Sequence, residues 1–346
     1  MTPSPPAVAW AATLLLIGAV VTAAMLSEPP DTPQEPALTL LLPERPAASS
    51  ASPDNAALGD ATAPVPPVQL APADPALIEE GDYGPLPKIG PEGRKPWQVY
   101  RRPFSGSDRP RIAVIVTGIG LSTTASRSAM EALPPDVTFA VLSYADDAAA
   151  WVRQLRADGH ETLLAVPMEP ELRTDDPGPR ALTVAAGEGN LDLLEWHLAR
   201  ATGYVGLVSH MGGAFLGSEP AVRNLSSSLR DRGLLVVDAS TGGSSILPRI
   251  AEETGVPVAA VGGIVDAEPS RSAIERSLAD IEETARAQGA ALAVAHPYPV
   301  TIETLALWAE GLKDRGFDLA PVSALMTLPT EAAGDSTGVG QPEGGR

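Results

Sequence analysis

From residue 112 onward, short unbroken apolar runs take turns with longer stretches whose apolar positions recur at helical spacing. A run such as Ile112-Ala113-Val114-Ile115-Val116 suits a strand covered on both faces, as in parallel sheets flanked by helices. The pattern predicts strands over 112–116, 137–142, 161–166, 205–209, 234–238, 258–265, 291–295 and 318–322. Between them it predicts a helical stretch ending at 132 and helices over 147–158, 191–201, 221–232, 246–254, 270–288 and 302–315. Such alternation implies parallel strands joined by crossover helices. Seven or eight units of this kind suit one irregular (β/α)7–8 barrel of the α/β class, with an open doubly wound sheet as the competing arrangement.

Upstream the pattern is different. Residues 7–26, AVAWAATLLLIGAVVTAAML, form a run of twenty without charge. As a helix it would be roughly 30 Å long, the thickness of a bilayer core. It is read as an N-terminal membrane anchor, with a cleaved signal segment as the alternative. The preceding MTPSPP lacks the positive charge that signal peptides carry, which favours the anchor. Residues 27–109 are rich in Pro, Ala and acidic side chains without a period, which predicts a disordered linker. Its end, 88–109, is locally basic and holds Trp97, Tyr100 and Phe104, so it either docks on the folded part or ends the linker as a charged stretch. The folded domain is expected over 110–328, and the Gly-rich 329–346 as a flexible tail.

Composition narrows the chemistry. A formal net charge of −19 over 346 residues disfavours nucleic acid and anionic surfaces as partners. Cysteine is absent, which excludes disulfides and thiolate metal sites. Neither a complete dinucleotide fingerprint nor a Walker loop, G-x-S-x-G elbow or HExxH pattern occurs; Gly118-Ile119-Gly120 lacks the third glycine, with Thr123 in its place.

The ends of the predicted strands are where a β/α fold assembles a site. Ser209-His210-Met211-Gly212-Gly213 and Ala295-His296-Pro297 place two of the four histidines there. Two neutral imidazoles from separate strands can share one metal ion, or each can be a hydrogen-bonded loop residue. Gly159-His160-Glu161 opens a strand instead, so His160 is expected on the opposite, stabilising end; His197 lies mid-helix and is read as surface or packing. Glu169, flanked by Pro167 and Pro170, points to the pocket, while Asp238 and Asp266 end strands as functional carboxylates or helix caps.

In this order and spacing, these stretches resemble the divergent polysaccharide deacetylase family (polysaccharide deacetylase family 2). The stretches are the segment 111–121, Gly159-His160-Glu161, Pro167-Met168-Glu169-Pro170, His210-Met211-Gly212, Val237-Asp238-Ala239-Ser240-Thr241, and Ala295-His296-Pro297 followed by Thr301. The resemblance implies an irregular barrel of the glycoside hydrolase/deacetylase type and an envelope location: an inner-membrane anchor with the domain in the periplasm. It also implies a glycan or peptidoglycan-derived partner.

In polysaccharide deacetylases proper, a first-strand Asp-Asp supplies a general base and a metal ligand, and histidines complete a site for a divalent ion, usually zinc. The divergent family is similar, with Ile-Asp-Asp-Leu-Gly there. Here Val116-Thr117-Gly118-Ile119-Gly120 occupies those positions, and both carboxylates are gone. Ser209 replaces an Asn, and Gly213-Ala214-Phe215 replaces Ser-Arg-Phe. By this resemblance His210 and His296 would hold zinc weakly, Glu169, Asp266 and Thr117 would supply the catalytic groups, and Ser209, Met211, Gly212 and Asp238 would contact substrate. Losing a general base alone removes about 10²- to 10⁴-fold in rate. Three readings stay open: a glycan-binding relative with a degenerate metal site, an active deacetylase with a relocated carboxylate, and a non-catalytic envelope scaffold.

Overall fold

The structure, a computed structural model, describes residues 69–240 and 245–326. The run 7–26 expected to cross a membrane, the linker up to residue 68 and the tail 329–346 lie outside the described residues. Among the described residues no helix is long and apolar enough to cross a membrane.

The expectation of disorder up to residue 109 is overturned from Gln69 onward. Strands β1 (Ile78–Gly81) and β2 (Gly84–Pro87) form an antiparallel hairpin, followed by the short helix α1 (Pro96–Tyr100). Leu77, Leu86, Trp97 and Tyr100 from this segment are buried in the common core. Arg156 holds it in place, donating to the carbonyls of Tyr100 (3.0 Å) and Ala71 (2.6 Å). Proline content misled the sequence reading. A fixed φ lowers the entropy lost on ordering and does not prevent packing where buried anchors recur.

The core of the domain is a parallel sheet. Its strands are β3 (Arg111–Ile119), β4 (Thr138–Leu142), β5 (Thr162–Met168), β6 (Gly206–Met211), β7 (Leu235–Asp238), β8 (Val258–Ala260), β9 (Gly263–Ile264) and β10 (Ala290–Ala295). They run in the order β8-β7-β6-β5-β4-β3-β10-β9, and the short β11 (Asp318–Leu319) pairs with the start of β3. The single run expected over 258–265 is thus two short strands at the two ends of that order. Val261 N–H donates to the Asp238 carbonyl, while Gly262 and Val265 N–H donate to Leu292 and Val294, each at 2.8 Å. One segment therefore satisfies backbone groups on both edges, and the sheet is curled.

Crossover helices cover the outside: α2 (Thr123–Ala132), α3 (Ala148–Ala157), α4 (Gly189–Leu198), α5 (Glu219–Asp231), α6 (Leu247–Thr254), α7 (Arg271–Gln288) and α8 (Pro299–Glu310). Ser122 and Asp147 cap α2 and α3 through side-chain oxygens, and α6 ends on Gly255 in the left-handed region at φ 82°.

Two polar groups secure the N-terminal end of the sheet. Glu161, fully buried, accepts from the backbone N–H of Arg102 and of Ser323 and from the Ser323 hydroxyl. It thereby ties the incoming segment and the last 3₁₀ turn to β5. His160 is buried beside it, edge-on to Phe139, with Nδ1 3.1 Å from the Val137 carbonyl. His197, read from sequence as surface or packing, is fully buried, its Nε2–H donating to Arg180 and its Nδ1 accepting from Ser143. Burial is the main cause that pushes His160 below 6.5 and His197 down to about 4.

Two outcomes follow. Glu161→Ala leaves the Arg102 and Ser323 donors without their acceptor, and a loss of about 2–4 kcal/mol in urea unfolding is expected. His197 stays neutral in the fold but ionises below pH 6.5 in the unfolded chain. Its contribution is whole above pH 6.5 and lost as pH falls towards 4. The stability gap between wild type and His197→Gln at pH 7 should shrink by on the order of 2–3 kcal/mol at pH 4, measured by denaturant unfolding at both pH values.

Candidate functional site

The C-terminal ends of β3, β6 and β10 open into one cleft of about 410 Å³. Along the sheet β6 and β10 are separated by β5, β4 and β3, so in a flat sheet their ends would lie roughly 19 Å apart. Curling brings them to a common mouth. Thr117, Ser209, His210, Met211 and His296 line it together.

On β3 the register with β4 shifts between Val116 and Ile119, and this bulge carries Thr117 and Gly118. Gly118 sits at φ +80°, where a Cβ would be strained by conformation although its nearest neighbour, Pro297 Cδ, is 3.6 Å away. Thr117 is almost fully buried and lines the cleft. No carboxylate stands at this position.

On β6, Pro167 and Met168 of β5 pair with His210 and Met211. Both Met211 (φ +61°) and Gly212 (φ +100°) then turn the chain through left-handed backbone. A Cβ on Gly212 would approach Met168 Cβ and Leu216 Cδ1 to 3.2 Å, so the tight turn requires glycine. Gly212 shapes the loop and does not line the cleft. Ser209 Oγ accepts from Ala239 N–H at 2.9 Å. Among the described residues His210 makes no hydrogen bond through its ring, and its pKa is lowered by burial first and by His296 across the cleft second.

His296 is positioned by a buried carboxylate. Asp266 accepts from the His296 backbone N–H (2.8 Å), lies 2.9 Å from His296 Nδ1, and accepts from the hydroxyl of fully buried Thr301 (2.9 Å). These bonds fix the imidazole with Nδ1 inward, leaving Nε2 without a partner among the described residues. Asp266 therefore acts through His296 and does not itself line the cleft.

The other carboxylates fall elsewhere. Glu169, expected in the pocket, accepts from Val184 N–H at 2.7 Å and so pins the long loop after β5. Asp238, expected to contact substrate, accepts from the Ser240 N–H (3.0 Å) and hydroxyl (2.6 Å) and closes a local turn. Two acidic residues missed by the sequence reading, Glu171 and Asp175, line the cleft from the same loop. The signal was present in the acidic spacing that follows Pro170, but nothing in it says which carboxylate faces inward.

The donor set does not fit a catalytic zinc. Among the described residues no three His, Asp or Glu side chains converge. Asp266 is already committed to His296 Nδ1, and two imidazoles fall short of the three protein ligands such a zinc uses. What the cleft offers is one oriented imidazole, one neutral imidazole, the hydroxyl-bearing Thr117, Ser209 and Ser240, the carboxylates Glu171 and Asp175, and no Lys or Arg.

An uncharacterized protein of Agrobacterium tumefaciens C58, known from a crystal structure, is similar over 70% of this chain and 99% of its own, at 34% identity and a TM-score of 0.68. An uncharacterized protein of Haemophilus influenzae is 25% identical, covering 56% of this chain and 69% of its own. The uncharacterized Escherichia coli protein YibQ is 24% identical, covering 63% and 68% respectively. The sequence model of the divergent polysaccharide deacetylase family matches residues 114–326, and the chain belongs to that family.

Proposed function

We propose that this is an exported protein whose curled sheet is the irregular barrel of the deacetylase type, and whose cleft binds an acylated glycan of the cell envelope without a resident metal. The observation that carries this reading is His210 and His296 sharing a cleft with hydroxyl-bearing residues while, among the described residues, no three side chains group to hold a metal. Imidazole and hydroxyl groups hydrogen-bond sugar hydroxyls and amide carbonyls, and the exposed Tyr298 beside His296 offers a ring to a sugar face. The uncharged run 7–26 supports an inner-membrane anchor, with the domain held in the periplasm by the Pro-rich segment that follows.

A second reading is favoured by Asp266. A carboxylate that fixes His296 with Nε2 towards the cleft is the arrangement of a general acid–base couple. In that reading the protein hydrolyses the acyl group, with His296 as the proton-carrying residue and Asp266 orienting it.

Calorimetric titration with N-acetylglucosamine oligomers should show saturable binding that His210→Ala weakens by about tenfold or more. Zinc content after purification in zinc-supplemented buffer should stay below one ion per chain. Stoichiometric zinc lost on His210→Ala, or no oligomer binding at all, sinks the first reading. Acetate release abolished by His296→Ala would establish the second.

A further inference from the structure

A second cavity, of about 620 Å³, lies at the opposite end of the sheet, beneath the strap that leads into β3. Arg101, Arg102 and Arg111 line it together with Phe104 and Ser105, and no Asp or Glu does. In a chain with 43 acidic and 24 basic side chains this is an unusual concentration of one sign. The cleft at the strand tops, by contrast, carries Glu171 and Asp175 and no Lys or Arg.

The three guanidinium groups are not equally occupied. Arg102 is paired with Asp136 at 2.9 Å and donates to the Gly159 carbonyl. Arg111 donates to the Ala324 carbonyl and has no carboxylate partner among the described residues; its guanidinium lies 5.5 Å from the Phe104 ring centre. Arg101 lies over the Trp97 ring at 5.9 Å and makes no hydrogen bond among the described residues. Aromatic faces thus hold two cations at the cavity, with the Arg101 donors unused and Arg111 spending one on the Ala324 carbonyl. Glu161 is near, since it accepts from Ser323, but it is fully buried and its oxygens are already satisfied.

We propose that this cavity binds a phosphate ester: the guanidinium forks of Arg101 and Arg111 take the phosphoryl oxygens, and Phe104 flanks the organic remainder. A dianionic phosphoryl group matches planar forks better than a carboxylate does, because it offers three oxygens to several donors. The site is separate from the glycan cleft, and its occupancy does not depend on what that cleft binds.

The test uses the purified full-length chain and inorganic phosphate, with ionic strength held constant by sodium chloride. Calorimetry or phosphorus NMR should show saturable binding, weakened about tenfold by Arg101→Gln and partly restored by Arg101→Lys. Arg101 is exposed and unbonded, so the variant should unfold at the wild-type denaturant midpoint. A response that follows ionic strength alone, or equal binding by wild type and Arg101→Gln, overturns the proposal. Vesicles containing phosphatidate separate the sources. Sedimentation with vesicles that phosphate competes away supports a lipid ester, and phosphate binding without sedimentation supports a soluble one. Because the uncharged run 7–26 can itself enter lipid, sedimentation is read as the excess on phosphatidate over phosphatidylcholine vesicles, and an excess that persists in Arg101→Gln counts against the site.

Discussion

The architecture depends on backbone hydrogen bonding along the segment 258–265. An open parallel sheet leaves a row of unpaired amides and carbonyls at each edge. Here one segment pairs first with β7 and then, after Val261 and Gly262, with β10. Both edges are thereby tied to the same few residues, and the sheet has to curl. All the strands of this sheet are parallel, so curling gathers their C-terminal ends, and with them His210 and His296, around one mouth.

That mouth combines a firmly held framework with few reactive groups. Buried Asp266 and Thr301 hold the half-exposed His296, and the Met211-Gly212 turn is held in a conformation that costs about 1–2 kcal/mol at a non-glycine position. Opposite them the bulge in β3 presents Thr117 and Gly118, neither of which carries a carboxylate. A hydroxyl can bind a sugar or a carbonyl but cannot take a proton near neutral pH. The cleft orients one imidazole, and among the described residues it has no group of three side chains that would hold a catalytic ion.

The opposite end of the domain follows different rules. There Glu161, Arg156 and Arg102 are consumed in joining the segment 69–109 to the sheet, using buried hydrogen bonds to backbone groups. Arg156 is pulled down to about 10 by burial and still carries its charge near neutral pH. The domain is therefore larger than its hydrophobic periodicity suggested, because this segment contributes few anchors per residue and no repeating pattern.

Local pattern was enough for much of this protein. Unbroken apolar runs marked the parallel strands from β3 to β10, since a strand buried on both faces has no polar side to show. Two histidines at strand ends, together with the motif order, placed them at the candidate site. Side-chain direction and partners were decided by tertiary structure. Glu169 and Asp238 end strands just as Asp266 does, yet one caps a loop, one closes a turn and one orients an imidazole. Sequence places a carboxylate along the chain, but only the curl of the sheet and the path of each following loop determine which donor reaches it first.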